Sequence, residues 1–189
     1  MAWVNTSPLV KTYTLEEFWE LPEPPDHSKV ELIAGVLYMT PPPETPHNRS
    51  VSRLNRVLSA HLIEIGDKGT LYFPRTAISI TPNTWLEPDL SYVSVATEAQ
   101  NTDRYLTTAD LVIEVISPGS AIYDRNTKAD TYAALGVKEL WLVDEWSGLV
   151  EVRVLKGDGY ESTVFDREDR LRSTILPKLE FRVGDVFSD

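Results

Sequence analysis

The chain has 189 residues, 42% of them hydrophobic, and its 29 acidic and 18 basic residues give a formal net charge of −11. That length suits one domain with one sizeable core, and no Gly/Ser or Pro-rich tract reads as an interdomain linker. The acidic balance argues against nucleic-acid binding by bulk electrostatics, and the absence of cysteine excludes disulfides, zinc–thiolate sites and a thiol nucleophile.

In chain order, residues 1–12 read as an N-terminal arm. Thr14 stands three residues before Glu17, the spacing of a capping box, so a short helix is expected over Leu15-Glu16-Glu17-Phe18-Trp19. The Pro-rich stretch 21–26 ends it. Lys29–Ile33 and 36–39 flank Ala34-Gly35 as a β-hairpin, and Thr40-Pro41-Pro42-Pro43 stops its second strand.

Over 47–65 the residues Val51, Leu54, Leu58, Leu62 and Ile65 recur at helical spacing, with Arg49, Arg53 and Arg56 together on the opposite face. No acidic residue lies between His47 and His61, so this acidic chain keeps one locally basic surface. It is either a solvated helix face or a phosphate-contacting one. His47 falls on the apolar arc and reads as a satisfied, partly buried histidine.

Strands are expected over 71–80 and 90–95, the second introduced by Glu87-Pro88-Asp89. The nearly continuous apolar run 111–116 reads as a central strand covered on both faces. Ser117-Pro118-Gly119-Ser120 turns the chain into a helix capped by Ser120, running to Leu135 and closed by Gly136. A buried strand at 139–143 completes a βαβ unit, so the middle of the sheet is expected to be partly parallel. Strands at 149–155 and 160–165 and a segment near Phe181 form a C-terminal β extension over 145–189. The fold class is α/β or α+β, a mixed β-sheet flanked by helices. The five tryptophans are scattered along the chain and indicate core or interface, not a stacking platform for single strands.

Glu114 interrupts the apolar run Leu111-Val112-Ile113-Glu114-Val115-Ile116. Taking an unpaired carboxylate out of water costs several kcal/mol, so this residue needs a partner. The candidates are Asp89, Lys128, Arg125 and a divalent cation. A helical wheel sets Ala121, Ile122, Ala129, Tyr132, Ala133 and Leu135 on an inward arc that Arg125 and Lys128 share. Each residue also has a plainer reading: a buried Glu114–Arg125 salt bridge, Asp89 as a turn residue, a local charge pair for Glu31, an exposed Asp124–Lys128 pair, and packing for Tyr132. Acids converging from neighbouring strands repel unless a cation neutralises them. With three scattered histidines and no cysteine, oxygen ligands are expected, hence Mg or Mn.

The order Glu31, Pro88-Asp89, Glu114-Val115-Ile116-Ser117-Pro118, Asp124-Arg125 with Lys128 and Tyr132, then Gly136-Val137 and Trp141-Leu142-Val143-Asp144 resembles the putative restriction endonuclease family abundant in cyanobacteria, of the PD-(D/E)XK superfamily. The resemblance runs from Tyr13 to about Phe187. It implies a restriction-endonuclease-like core and Mg-dependent (or Mn-dependent) phosphodiester hydrolysis, with catalytic residues Glu31, Asp89, Glu114 and Lys128. Asp89, Glu114 and the Val115 carbonyl are the implied metal ligands. Two positions after Glu114, where the superfamily usually has its lysine, stands Ile116, and Lys128 on the following helix takes that role.

The expected function is a metal-dependent endonuclease acting on duplex DNA, with a homodimer suited to cutting both strands. The alternatives are a non-catalytic nuclease-like module that binds nucleic acid or protein, and carboxylate-pair glycoside hydrolysis. No apolar run approaches the roughly 20 residues that span a bilayer. The start MAWVNTSPLVKTYT lacks a signal-peptide pattern, so no membrane partner and a cytoplasmic location are expected.

Overall fold

The Thr14 side chain accepts from the Glu17 backbone while the Glu17 carboxylate accepts from the Thr14 N–H, and this closed capping box starts α1 (Leu15–Trp19). The computed structural model describes residues 11–80, 82–101, 104–117 and 121–187, so the arm up to residue 10 and the Ser120 cap lie outside the described residues. β1 (Lys29–Ile33) and β2 (Val36–Thr40) pair antiparallel across Ala34 and Gly35, at φ 48° and 83°. Two left-handed residues are what a tight hairpin of this twist requires. α2 (Thr45–Ile65) follows the proline run and ends at Gly66, also left-handed at φ 66°. Its buried stripe is Ser50, Leu54, Leu58 and Leu62; Ile65, expected to be apolar-facing, is 39% exposed on the last turn.

The expected strand over 71–80 is instead two, β3 (Thr70–Tyr72) and β4 (Ile78–Ile80), in different sheets. Pro74 has no N–H to offer a ladder, Arg75 is left-handed at φ 71°, and Thr76 N–H donates to Phe73 O, closing a turn that splits the run. β5 (Thr84–Leu86), unforeseen from sequence, pairs with both β4 and β1. β6 (Leu90–Val93) stops two residues before the expected end because Ser94 caps α3 (Val95–Glu98).

β7 (Leu111–Ile116) leads to α4 (Ala121–Tyr123), a π-helical turn over Asp124–Lys128, and α5 (Ala129–Ala134). β8 (Glu139–Asp144), β9 (Leu149–Lys156), β10 (Gly159–Phe165), β11 (Arg170–Arg172) and β12 (Glu180–Arg182) complete the strands. The main sheet has order β10-β9-β8-β7-β6-β3; β7 and β8 run parallel and its other pairs antiparallel. β2-β1-β5-β4 form a second sheet, and β11 and β12 a small third one.

All six residues of β7 are buried, as its central position demands. Leu111, Ile113 and Val115 pack in the cluster that holds Leu54, Leu58 and Leu62 of α2. Val112 and Ile116 pack with Ala129 and Tyr132 of α5 and with Ile33, Ile78 and Leu86 of the second sheet. Strand alternation therefore puts Glu114 on the α5 side of the main sheet. The sequence expectation of a mixed sheet flanked by helices, parallel at its βαβ unit, holds.

Candidate active site

The π-helical turn decides which side chains face the sheet. It carries about one residue more per turn than an α-helix, so a wheel drawn at 3.6 residues per turn loses phase across it: upstream, Ala121 still packs against the core but Ile122 does not. Ile122, expected inward, is 81% exposed, whereas Asp124, Lys128, Ala129 and Tyr132 are all buried. Downstream of the turn the wheel holds.

Lys128 Nζ lies 2.6 Å from Glu114 Oε1, 3.2 Å from Glu31 Oε2 and 3.6 Å from Asp124 Oδ1. The Asp124–Lys128 pair thus exists, but buried and not on an exposed face. The Tyr132 hydroxyl donates to Glu114 Oε1 at 2.6 Å, so Tyr132 both packs and binds the acid. The Tyr123 hydroxyl donates to Glu31 Oε2, and its ring stacks on Tyr38 at 4.8 Å. Glu87 N–H donates to Glu31 Oε1 at 2.8 Å, and Lys29 Nζ stands 3.6 Å from Glu31 Oε2. Arg125 does not reach Glu114; it pairs with Asp144 and Glu151 at the edge of the same sheet face.

Asp89 immediately precedes β6, where Leu90 pairs with Ile113; one further step of that register sets Asp89 beside Glu114. Its Oδ2 accepts from Val115 N–H at 2.8 Å and contacts His47 Nε2 at 3.1 Å. No ion pair joins Asp89 to Lys128 among the described residues. A residue's N–H and C=O point to the same side of a strand, so the Val115 carbonyl also faces the end of β6 where Asp89 stands. The sequence placed His47 on the apolar arc but missed this contact. Its Nδ1 is buried with no hydrogen-bond partner.

Burial pushes the Glu114 carboxyl up to about 7, with Asp89 and Asp124 adding to the rise and the ammonium groups of Lys128 and Lys29 opposing it. For Glu31 burial works the same way, but Lys128, Lys29 and the Tyr123 and Glu87 hydrogen bonds outweigh it and hold the acid below its ordinary range. Asp89 is likewise lowered: burial is outweighed by His47, Lys29 and the Val115 N–H. Burial disfavours charge on Lys128, yet Glu114, Glu31 and Asp124 hold its pKa well above the ordinary lysine value. Burial opposes charge on His47, but its contact with the Asp89 carboxylate outweighs that and raises its pKa.

The donor set fits a hard divalent cation. Among the described residues none donates a hydrogen bond to Asp89 Oδ1 or Glu114 Oε2, so each acid keeps one uncommitted oxygen. No three acidic or histidine side chains among the described residues form a cage by themselves. Mg²⁺ is commonly held by one or two carboxylates, with waters and substrate oxygens completing its shell.

A family model described as Uma2, putative restriction endonuclease, matches residues 15–184. The crystal structure of a putative nuclease belonging to DUF820 from Anabaena variabilis ATCC 29413 superposes with a TM-score of 0.74 at 20% sequence identity, covering 93% of this chain and 97% of that chain. At that identity the likeness establishes a shared fold. No curated protein matches the chain.

Proposed function

For a chain that belongs to the Uma2 family of putative restriction endonucleases, we propose a metal-dependent endonuclease of the PD-(D/E)XK type that hydrolyses phosphodiester bonds in duplex DNA. The observation that carries this reading is the buried Lys128 ammonium, 2.6 Å from Glu114, beside the strand end where Asp89 accepts from Val115 N–H. Asp89, Glu114 and the Val115 carbonyl would hold Mg²⁺ or Mn²⁺. When bound, such an ion acidifies a water and offsets charge on a phosphoryl oxygen.

The chain's own residues do the rest. Lys128, kept protonated by its acids, adds fixed positive charge where negative charge grows on phosphorus. It supplies from the helix what Ile116 cannot supply from the strand. Both Glu31 oxygens are engaged, by Glu87 N–H on one side and by Lys128 and Tyr123 on the other, which supports a role in holding Lys128 more than in positioning water. His47 orients the Asp89 carboxylate.

DNA contact is assigned to α2, whose first turns carry His47 against Asp89. Among the described residues no carboxylate pairs with Arg49, Arg53 or Arg56, so this helix offers cations to phosphates despite the net charge of −11. A homodimer would bring two such sites to the two strands. No described helix is long and apolar enough to cross a membrane, and a cytoplasmic location belongs to the same proposal.

A second reading, a nuclease-like module that binds without cutting, is favoured by one observation: Glu114 Oε1 is already taken by Lys128 and Tyr132. Duplex DNA, single-stranded DNA and RNA incubated with Mg²⁺ or Mn²⁺ separate the two. The nuclease reading expects metal-dependent cleavage by the wild type and its loss in Asp89→Ala and Lys128→Ala, each checked for folding by circular dichroism. Equal cleavage by all three proteins excludes it. Metal binding with no cleavage of any substrate supports the module.

A further inference from the structure

Across the second sheet from Glu31 lies a cavity of about 580 Å³, within the usual size range of small-ligand sites. Trp85 on its wall is the cross-strand partner of Leu32, so it projects from the face opposite Glu31. None of the cavity's lining residues is one of the acids or the lysine of the candidate active site.

Its walls are aromatic. Tyr72, Trp85 and Tyr105 line it, with the Tyr105 and Trp85 rings 4.9 Å apart at 76°. Trp19 packs edge-on against Trp85 at 6.0 Å and also neighbours the Tyr105 ring at 6.5 Å. Tertiary packing thus gathers aromatic residues that look scattered in the sequence.

Two guanidinium groups stand at the same cavity. Arg104 lies over the Tyr105 ring at 5.1 Å, and Arg75 is exposed on its left-handed turn. Among the described residues no carboxylate pairs with either, in a chain with eleven more acids than bases. Glu98, the acid of the lining, accepts from the Tyr72 hydroxyl at 3.0 Å.

Asn101, also in the lining, contributes an unsatisfied donor. Its Oδ1 accepts from Thr107 N–H at 2.7 Å and Thr108 N–H at 3.2 Å, which fixes the amide orientation because a flip would set NH₂ against two N–H groups. That leaves Nδ2 buried without a partner.

Flat aromatic faces, free guanidinium charge and an idle amide donor are together the chemistry of a nucleotide: a π-face to stack, a phosphate, and a base or sugar acceptor. We propose that this cavity binds a single unpaired nucleotide, with its base among Tyr72, Trp85 and Tyr105 and its phosphate on Arg75 and Arg104. The nucleotide is either free or one unit of a nucleic-acid strand.

The test is a tryptophan-fluorescence titration of the full chain in EDTA, which stops any metal-dependent cleavage. The probes are deoxyadenosine monophosphate, deoxyadenosine and a short oligodeoxyadenylate. Saturable quenching by the monophosphate assigns a free nucleotide; quenching by the oligonucleotide alone assigns a strand. In both cases the Arg75→Gln/Arg104→Gln variant, altered only at exposed side chains, should bind the phosphorylated probe at least tenfold more weakly. It should bind deoxyadenosine as the wild type does. No saturable quenching in the wild type, or equal binding by the variant, overturns the proposal. Because the titration contains no free metal, a nuclease reading that fails leaves this result standing, and the reverse also holds.

Discussion

The Lys128 ammonium is 2.6 Å from Glu114 Oε1, with both side chains almost fully buried and Lys128 carried by a π-helical turn, not by the strand that bears the acid. Glu31 and Asp124 also face this one cation, at 3.2 and 3.6 Å. Burial raises the Glu114 carboxyl, Asp89 and Asp124 add to the rise, and Lys128 and Lys29 oppose it.

Removing the amine should therefore be costly. Lys128→Met takes from the buried Glu114 its nearest cation and leaves Glu31 with Lys29 at 3.6 Å, and breaking a buried pair in this way costs about 3–5 kcal/mol. Urea unfolding at pH 7 should show a loss of that order. The loss should shrink near pH 5, where the orphaned acids take up protons, and Glu31→Gln in the Lys128→Met background should restore part of it. A Lys128→Met protein as stable as the wild type at pH 7 would show that the cluster contributes nothing.

The Glu114 carboxyl sets a pH dependence with a definite sign. Its folded pKa of about 7 lies above the ordinary 4.5, so the folded chain holds a proton there that the unfolded chain has lost. This contribution to stability is full below pH 4.5 and disappears as pH rises through about 7, an effect on the order of 3 kcal/mol. Metal-free protein should lose melting temperature between pH 5 and 8, and Glu114→Gln should flatten that slope. Affinity for Mn²⁺ should climb over the same interval, because the ionised acid is the ligand.

Asp89→Asn runs opposite to what like-charge repulsion among acids suggests from the sequence. His47 and the Val115 N–H hold Asp89 below its ordinary 3.8, so its charge stabilises the fold. That contribution is present above pH 3.8 and is lost as pH falls through the lower folded value. At pH 7 without metal the Asn variant should be less stable by about 1–3 kcal/mol. Differential scanning calorimetry reads this directly, and a higher Tm for the variant would restore repulsion as the dominant effect.

The arginine face of α2 should appear in a salt titration. Replacing Arg49, Arg53 and Arg56 together by Gln should weaken duplex binding in EDTA and flatten the plot of log K against log salt by about 0.9 for each phosphate that an arginine no longer neutralises. Fluorescence anisotropy at several salt concentrations measures the slope. An unchanged slope assigns these arginines to a merely solvated face.

Much of this site is legible locally. The Thr14–Glu17 box, the Ala34-Gly35 turn and the apolar run around Glu114 are short-range patterns, and each forms as its spacing requires. Lys128, the last residue of the π-helical turn, faces inward as the wheel expects, whereas Ile122, just before the turn, faces out. Other features depend on contacts between distant segments. β5 is a three-residue strand held by neighbours on both sides, and nothing in Thr84-Trp85-Leu86 alone marks it as one. The His47–Asp89 contact joins α2 to the start of β6 across the sheet end, where sequence spacing carries no signal beyond a histidine on an apolar arc.

Calorimetric titration with Mn²⁺ at pH 7.5 tests most directly the claim that Asp89 and Glu114 jointly hold a divalent cation. The wild type should bind one ion per site, and Asp89→Ala and Glu114→Gln should each lower the affinity at least tenfold while Arg125→Gln, whose partners are Asp144 and Glu151, leaves it unchanged. Wild-type heats equal to those of both acid variants would contradict it.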